Sequence, residues 1–350
     1  MKHKIRNLIY ITKDEINSLS KVALGKIRIG FLVPRLGPYE RVMASTRLRA
    51  YDIIHYLNKT ETFYAELYKP WRKYEICIFQ KYFNANAYKK MIKIKNQGTK
   101  VLFDVNVNYF ESSDTDQVTK EQIKEIMRFG KEVDGFITVS AFLNEVVKRY
   151  FPNKKSNFIP ENIDNKLFTV RKTHTSKSVL RLLYVGYAIK AREILIIKDI
   201  LEKLGLDYNL EIVFLCEKNP EIKFRNLKTR FIKFNLKMLP RQLLYGDIKI
   251  APRDLKDRYN LAHSFTKIGY PMAVGLPVVA SPIDSYLNSP AIICKTDEEW
   301  DSTLRNLTTN PNLRNALARE GIKYCKENFL LDLIGKQYER YFEMLLDDGI

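Results

Sequence analysis

Residues 260–281 read NLAHSFTKIGYPMAVGLPVVAS, and their order decides the kind of fold the chain adopts. Gly275, Leu276 and Pro277 make a turn, and Val278, Val279 and Ala280 continue as a short buried strand. Ahead of the turn, small and apolar residues predict a helix that opens near Ser264, Thr266 and Lys267. The stretch contains no acidic residue. Free N–H groups, the positive end of a helix dipole and a lysine together suit a phosphate. A capping serine beside a solvated lysine fits the same residues.

A helix leading into a buried strand is half of a unit that recurs along the chain. KIRIGFLVP (26–34), YEICIFQ (74–80), KVLFDVN (100–106) and GFITVS (135–140) are strand-like runs. Helical segments lie between and after them, over 44–57, 84–96, 117–129 and 141–151, and NFIPENID (157–164) completes this half. The polar segment RKTHTSKS (171–178) reads as a linker. The cycle restarts with LRLLYVG (180–186), a helix over 190–204, LEIVFLCE (210–217), RFIKF (230–234), a short helix near 238–244 and DIKIAP (247–252). Three helices, over 297–308, 311–327 and 331–346, follow GLPVVAS. This alternation predicts an α/β protein with parallel, doubly wound sheets, and two cycles predict two such domains. Ligands of these sheets bind beyond the carboxyl ends of the strands. The gap between two facing domains is therefore the expected site.

At 350 residues the chain is long enough for two cores. No apolar run approaches the roughly 18 residues of a membrane span. MKHKIRNLIYITKDE at the amino terminus has too short an apolar run for a signal peptide. Cys77, Cys216, Cys294 and Cys325 are far apart and match no metal-ligand spacing, so they read as reduced, buried thiols of a cytoplasmic protein. The formal net charge is +19. From Lys69 to Lys100 nine basic residues face one acid, Glu75, with Trp71, Tyr74, Tyr82, Phe83 and Tyr88 interleaved. Such a surface attracts anionic lipid, nucleic acid or an acidic polymer. An ordinary solvated face has the same composition. The sequence contains no Walker loop, zinc signature or nucleophile elbow.

Three segments together resemble glycosyltransferases of the GT-B fold, close to glycosyltransferase family 4 (group 1). VDGFITVSAFLNEVVKRYF (133–151) is similar to a strand and helix of that family, with Asp134 and Ser140 in register. IPENIDNKLF (159–168) is similar to its I-P-N-G-V-D-x-x-x-F turn through Ile159, Pro160, Ile163, Asp164 and Phe168. The opening quotation is similar to its donor segment through Asn260, Ser264, Lys267, Ala273, Gly275, Pro277, Val278 and Val279, with Tyr259 just ahead. LLYVGYAIKAREI (182–194) resembles the V-G-R-x-x-x-x-K element that opens the second domain. The resemblance implies two Rossmann-like domains facing across a cleft. One, over 1–168 with 1–25 as an extension, would bind the acceptor, and the other, over 169–329, the donor. The last helix, over 330–350, would pack back toward the first domain.

It further implies a metal-independent transferase that takes a nucleotide-sugar as substrate and holds no cofactor. Lys267 would meet the diphosphate, where fixed positive charge stabilises the leaving group, with Ser264 and Thr266 as hydroxyl donors. Gly186, Tyr187, Lys190, Asn260, His263 and Tyr270 complete the expected donor site. Tyr270 and Ala262 stand where the family has glutamates, and Tyr187 where it has an arginine, so the companion cation is Arg192 or Lys190. On the acceptor side, Arg47 and Arg49 are two apart on a helix, so one would face the cleft and the other solvent. Asp104 ends a strand on the cleft side, with Asn106 beside it, and is the expected group for orienting or deprotonating an acceptor hydroxyl. The catalytic candidates are thus Asp104, Lys267 and Arg192.

The expected activity is transfer of a sugar to a glycan or lipid-linked acceptor in the synthesis of cell-surface polysaccharide or glycoconjugate. By the resemblance, anomeric configuration is retained. An anionic membrane surface at the inner face of the membrane is a candidate partner, and nucleic acid is the weaker one. Loss of both family glutamates leaves another reading open, a catalytically altered relative that serves as a binding protein. A glycosyltransferase acting on nucleic acid is a further alternative.

Overall fold

The structure, a computed structural model, describes residues 25–111, 118–164 and 167–347. The expected extension up to residue 24, and the first residue of the helix expected over 117–129, lie outside them.

Strands β1 (Ile27–Leu32), β2 (Phe63–Leu67), β3 (Ile76–Gln80), β4 (Lys100–Val105), β5 (Gly135–Thr138) and β6 (Lys155–Phe158) form one parallel sheet. Its order is β2-β1-β3-β4-β5-β6. A second parallel sheet is built from β7 (Leu180–Val185), β8 (Leu210–Cys216), β9 (Lys228–Lys233), β10 (Ile248–Ala251), β11 (Val278–Ala280) and β12 (Ile292–Ile293). Here the order is β12-β11-β10-β7-β8-β9. Helices cover both faces of each sheet, so central strands are mostly apolar: every residue of β3 and β8 is buried, Gln80 and Glu211 being their polar members. The unanticipated strands are β2, which carries Tyr64 and Glu66 at a sheet edge, and the two-residue β12.

Strand order reverses between β1 and β3 in one sheet and between β7 and β10 in the other. The chain leaving the carboxyl ends of these four strands supplies both walls of the site. After β1 comes a helix over 44–57, π-wound across Arg47–Tyr51. The segment after β10 leads to helix Thr266–Ala273. Gly275 ends that helix with φ +85°, a left-handed conformation that costs glycine little, and β11 follows.

The carboxyl-terminal helix, Leu331–Asp347, crosses back to the first domain, as the resemblance implies. Its Ile334, Tyr338, Tyr341, Phe342 and Leu345 pack into the core beneath β1, β2 and helix 44–57. Gly335 lies so close to Tyr56 that an added Cβ would sit 2.3 Å from the tyrosine ring. All four cysteines are buried and unpaired. Among the described residues no helix is long and apolar enough to cross a membrane.

Candidate active site

The segment expected to hold the donor begins with a short helix, Arg258–Leu261, capped by Asp257, and continues into helix Thr266–Ala273. Lys267 occupies the first turn of the second helix and is half-buried, its Nζ 6.0 Å from the centre of the Tyr187 ring. Burial and the neighbouring Arg253 and Lys190 push its ammonium down to about 8, while Glu161 and Glu193 oppose that shift. Burial likewise lowers Lys190, whose Nζ lies 4.7 Å from the Tyr259 ring centre. Burial and the charges of Arg253, Lys267, Lys190 and Lys81 hold the His263 imidazole far below its usual range, so it is neutral at physiological pH. Its buried Nε2 has no hydrogen-bond partner.

Four cations thus converge on one histidine, three from the second domain and Lys81 from the first. Lys81 follows β3 with φ +53°, an uncommon conformation for a side chain with a Cβ, and its N–H donates to the Asp104 carbonyl. Arg253, just past β10, is buried, ion-paired with Glu193 and in contact with the Tyr286 hydroxyl. Mutual repulsion among so many cations is unfavourable, and a polyanion between the domains would relieve it.

Arg192, one of the two expected companion cations, is exposed. The chain over Ala188–Ile197 winds as a 3-10 helix, in which residues three apart share a face. Lys190 and Glu193 therefore point together, Glu193 toward Arg253, and Arg192 points elsewhere. The second cation beside Lys267 is Arg253, with Lys190. Gly186 is tied to the sheet by its N–H on the Leu215 carbonyl, and Tyr187 is exposed. Asn260 is buried with its Oδ1 unpartnered.

On the first-domain wall the expectation of one inward and one outward arginine is corrected. The π-turn places both inside. Arg49 is fully buried and donates through Nε to both oxygens of Asp104, at 2.8 and 2.9 Å, and through Nη1 to the Ile159 carbonyl at 2.7 Å. Asp104, equally buried, is pushed up to about 6 by burial against the pull of Arg49. Both oxygens are spent on the guanidinium, so Asp104 does not face an acceptor hydroxyl. Arg47 lies 5.5 Å from the Tyr39 ring centre and reaches the Tyr270 hydroxyl from across the domain boundary. Tyr270, in the place of a family glutamate, stacks on Phe168 with ring centres 4.7 Å apart. Asn106 Oδ1 accepts from Gln80 Nε2 at 2.7 Å, and its Nδ2 is buried without a partner.

Ser264 and Thr266, expected to greet a phosphate, both bond a carboxylate. Each hydroxyl lies 2.6 Å from Glu161 Oε2, and the two are 2.7 Å apart. The domains are joined further by Arg258 on Glu111 at 2.5 Å, by the Phe142 N–H on Asp284 at 2.9 Å and by Ser140 Oγ on the Ala262 carbonyl at 3.4 Å. Sequence reasoning missed Arg253, Glu161, Glu193 and Lys81. Two of them carried a signal: Arg253 and Lys81 each follow the carboxyl end of a predicted strand, where ligands of such sheets bind. Among the described residues no group of three or more His, Cys, Asp or Glu is placed to hold a metal ion.

The paired parallel sheets and returning helix are those of the GT-B fold, and solved structures agree. Sucrose-phosphate synthase from Thermosynechococcus elongatus superimposes with a TM-score of 0.68 at 10% identity, over 92% of this chain and 100% of that one. A glycosyltransferase from Rickettsia africae ESF-5 gives 0.62 at 13% identity, over 92% and 99%. Anabaena HepE, solved in complex with UDP-glucose, gives 0.61 at 10% identity, over 91% and 100%. No protein-family model and no curated protein matches the chain.

Proposed function

We propose that the protein is a glycosyltransferase that moves a sugar from a nucleotide-sugar donor to a glycan or lipid-linked acceptor. One observation carries this reading: Lys267, Lys190, Arg253 and Lys81 converge on His263 between the domains, beside the start of helix Thr266–Ala273. In this reading the donor diphosphate lies among these cations. As the bond from the sugar to the diphosphate breaks, negative charge grows on the leaving oxygen, and preorganised cations lower the barrier there. Protein side chains supply that charge without metal or cofactor. Neutral His263 offers its unpartnered Nε2 to a phosphate or a sugar hydroxyl, and Arg47 faces the acceptor side next to Tyr270.

Support also comes from HepE, a protein of like fold that was solved with UDP-glucose. Retention of anomeric configuration belongs to the same reading, as do a role in cell-surface glycan synthesis and a cytoplasmic location at the inner membrane face. The test is a calorimetric titration with UDP, GDP and CMP, followed by turnover of the matching nucleotide-sugar. Lys267→Ala should lower turnover by about 100-fold or more with the fold intact, the loss typical of one preorganised charge-stabilising group. Failure of every nucleotide to bind would favour the binding-protein reading instead.

A further inference from the structure

Glu161 comes from the turn after β6, in the first domain, yet its carboxylate accepts from two second-domain hydroxyls, those of Ser264 and Thr266. Its side chain is nearly enclosed, with 8% of the residue exposed. The turn is pinned at each step. Arg49, locked on Asp104, donates to the Ile159 carbonyl at 2.7 Å; Asn162 donates to the Leu48 carbonyl at 2.9 Å; the Ile163 N–H donates to the Phe329 carbonyl at 2.7 Å. A chain of fixed contacts therefore runs from Asp104 through Arg49 and the turn to Glu161, and on to the opening of helix Thr266–Ala273.

We propose that Glu161 is a positioning residue of the donor site. It reaches across the domain boundary, holds the first helical turn through Ser264 and Thr266, and supplies the counter-charge that lets Lys267 stand as a cation. The groups facing Lys267 make such a counter-charge necessary. Arg253 approaches from the end of β10 and Lys190 from segment 188–197; burial holds Lys249 on β10 far below its usual range, and His263 on the donor segment is uncharged. Opposed to these cations are Glu193, already paired with Arg253, and Glu161. The inference rests on the donor-site reading of Lys267. It deepens that reading by bringing a carboxylate to a donor segment that has none of its own.

The test reads Lys267 directly in the full-length protein. Trace acetic anhydride labelling, quantified on the Lys267 peptide by mass spectrometry from pH 6 to 10, gives the midpoint at which this lysine loses its proton. The wild type should titrate near 8. In Glu161→Gln the midpoint should fall by roughly one unit or more, the size of a lost opposite charge at several ångströms in a partly buried site. An unchanged midpoint in a folded Glu161→Gln protein overturns the proposal. Should that variant not fold, Ser264→Ala and Thr266→Ala replace it. Each frees the carboxylate from one tether and should lower the midpoint, and wild-type midpoints in both overturn the proposal. UDP binding adds a second readout. Glu161→Gln should weaken it most at pH 8 and recover toward wild type at pH 6.5, whereas equal weakening at both pH values means a merely structural role and overturns the proposal. A shifted midpoint in a protein whose wild type binds no nucleotide supports the Glu161–Lys267 coupling and overturns the donor-site reading.

Discussion

At Lys267 burial and like charge favour the neutral amine, while a bound diphosphate would favour the ammonium. The two forms are close in energy near pH 8. The folded protein loses this proton near 8, whereas the ordinary value is 10.5, so between these limits the unfolded chain binds more protons. This group alone therefore makes stability rise with pH across that window. A bound diphosphate reverses the preference by raising the lysine again. Calorimetry of UDP binding at pH 8, in two buffers of different ionisation enthalpy, should thus report net proton uptake; release or no exchange would contradict the assigned contact. Asp104 makes the opposite kind of prediction. Removing one partner of a buried ion pair typically costs about 3–5 kcal/mol, because the other charge is left unpaired. Asp104→Asn should lose stability on that scale in urea unfolding, because the buried Arg49 charge is left unpaired. Full stability with abolished turnover would instead return Asp104 to the chemistry. The place of Lys267 in the first turn of a helix was legible in the sequence because a helix start without acids is a local pattern. Asp104 was misread because a carboxylate at a strand end looks alike whether it meets solvent or a buried arginine. Glu161 and Ser264 lie 103 positions apart, and no local pattern joins them.

The elements follow local rules where burial is two-sided and depart from them where winding changes. β3 and β8 were readable because parallel central strands are apolar on both faces. The edge strand β2 mixes Tyr64 and Glu66 with apolar residues, and that alternation alone did not stand out. Two departures moved site residues. The π-turn at 47–51 drew both arginines inward, and the 3-10 winding at 188–197 turned Arg192 outward. Neither leaves a composition signal. The returning helix offers a clean test of packing against propensity. Gly→Ala inside a helix ordinarily gains up to about 1 kcal/mol. At Gly335 the new Cβ would meet the Tyr56 ring at 2.3 Å, a contact that requires movement of a residue bonded to Glu339. Gly335→Ala should therefore lose roughly 1–3 kcal/mol, as overpacked cores do. A variant as stable as wild type in urea or heat would show that the helix can shift to make room.

On the scale of the whole molecule the charge of +19 is distributed, and only part of it lies in the site. Helix Ala85–Lys95 buries Ala87, Met91 and Ile94 and turns Lys89, Lys90 and Lys93 outward, and Trp71, ahead of β3 in the chain, is also exposed. A lysine near an anionic bilayer contributes about 1 kcal/mol, so three of them contribute about 3 kcal/mol, or roughly a hundredfold in partition. Raising ionic strength from 0.1 to 1 M shortens the screening length from about 10 to about 3 Å and should remove most of that attraction. The full-length protein should float with vesicles rich in anionic lipid at low salt, and much less at high salt. Lys89→Glu, Lys90→Glu and Lys93→Glu combined should abolish flotation while leaving soluble donor binding intact, because these exposed side chains are not among the charges that act on Lys267. Flotation that ignores both salt and charge reversal would mean that the basic face does not meet the lipid. Retention on duplex DNA with the same sensitivity to these three substitutions, and no flotation, would turn the acceptor question toward nucleic acid.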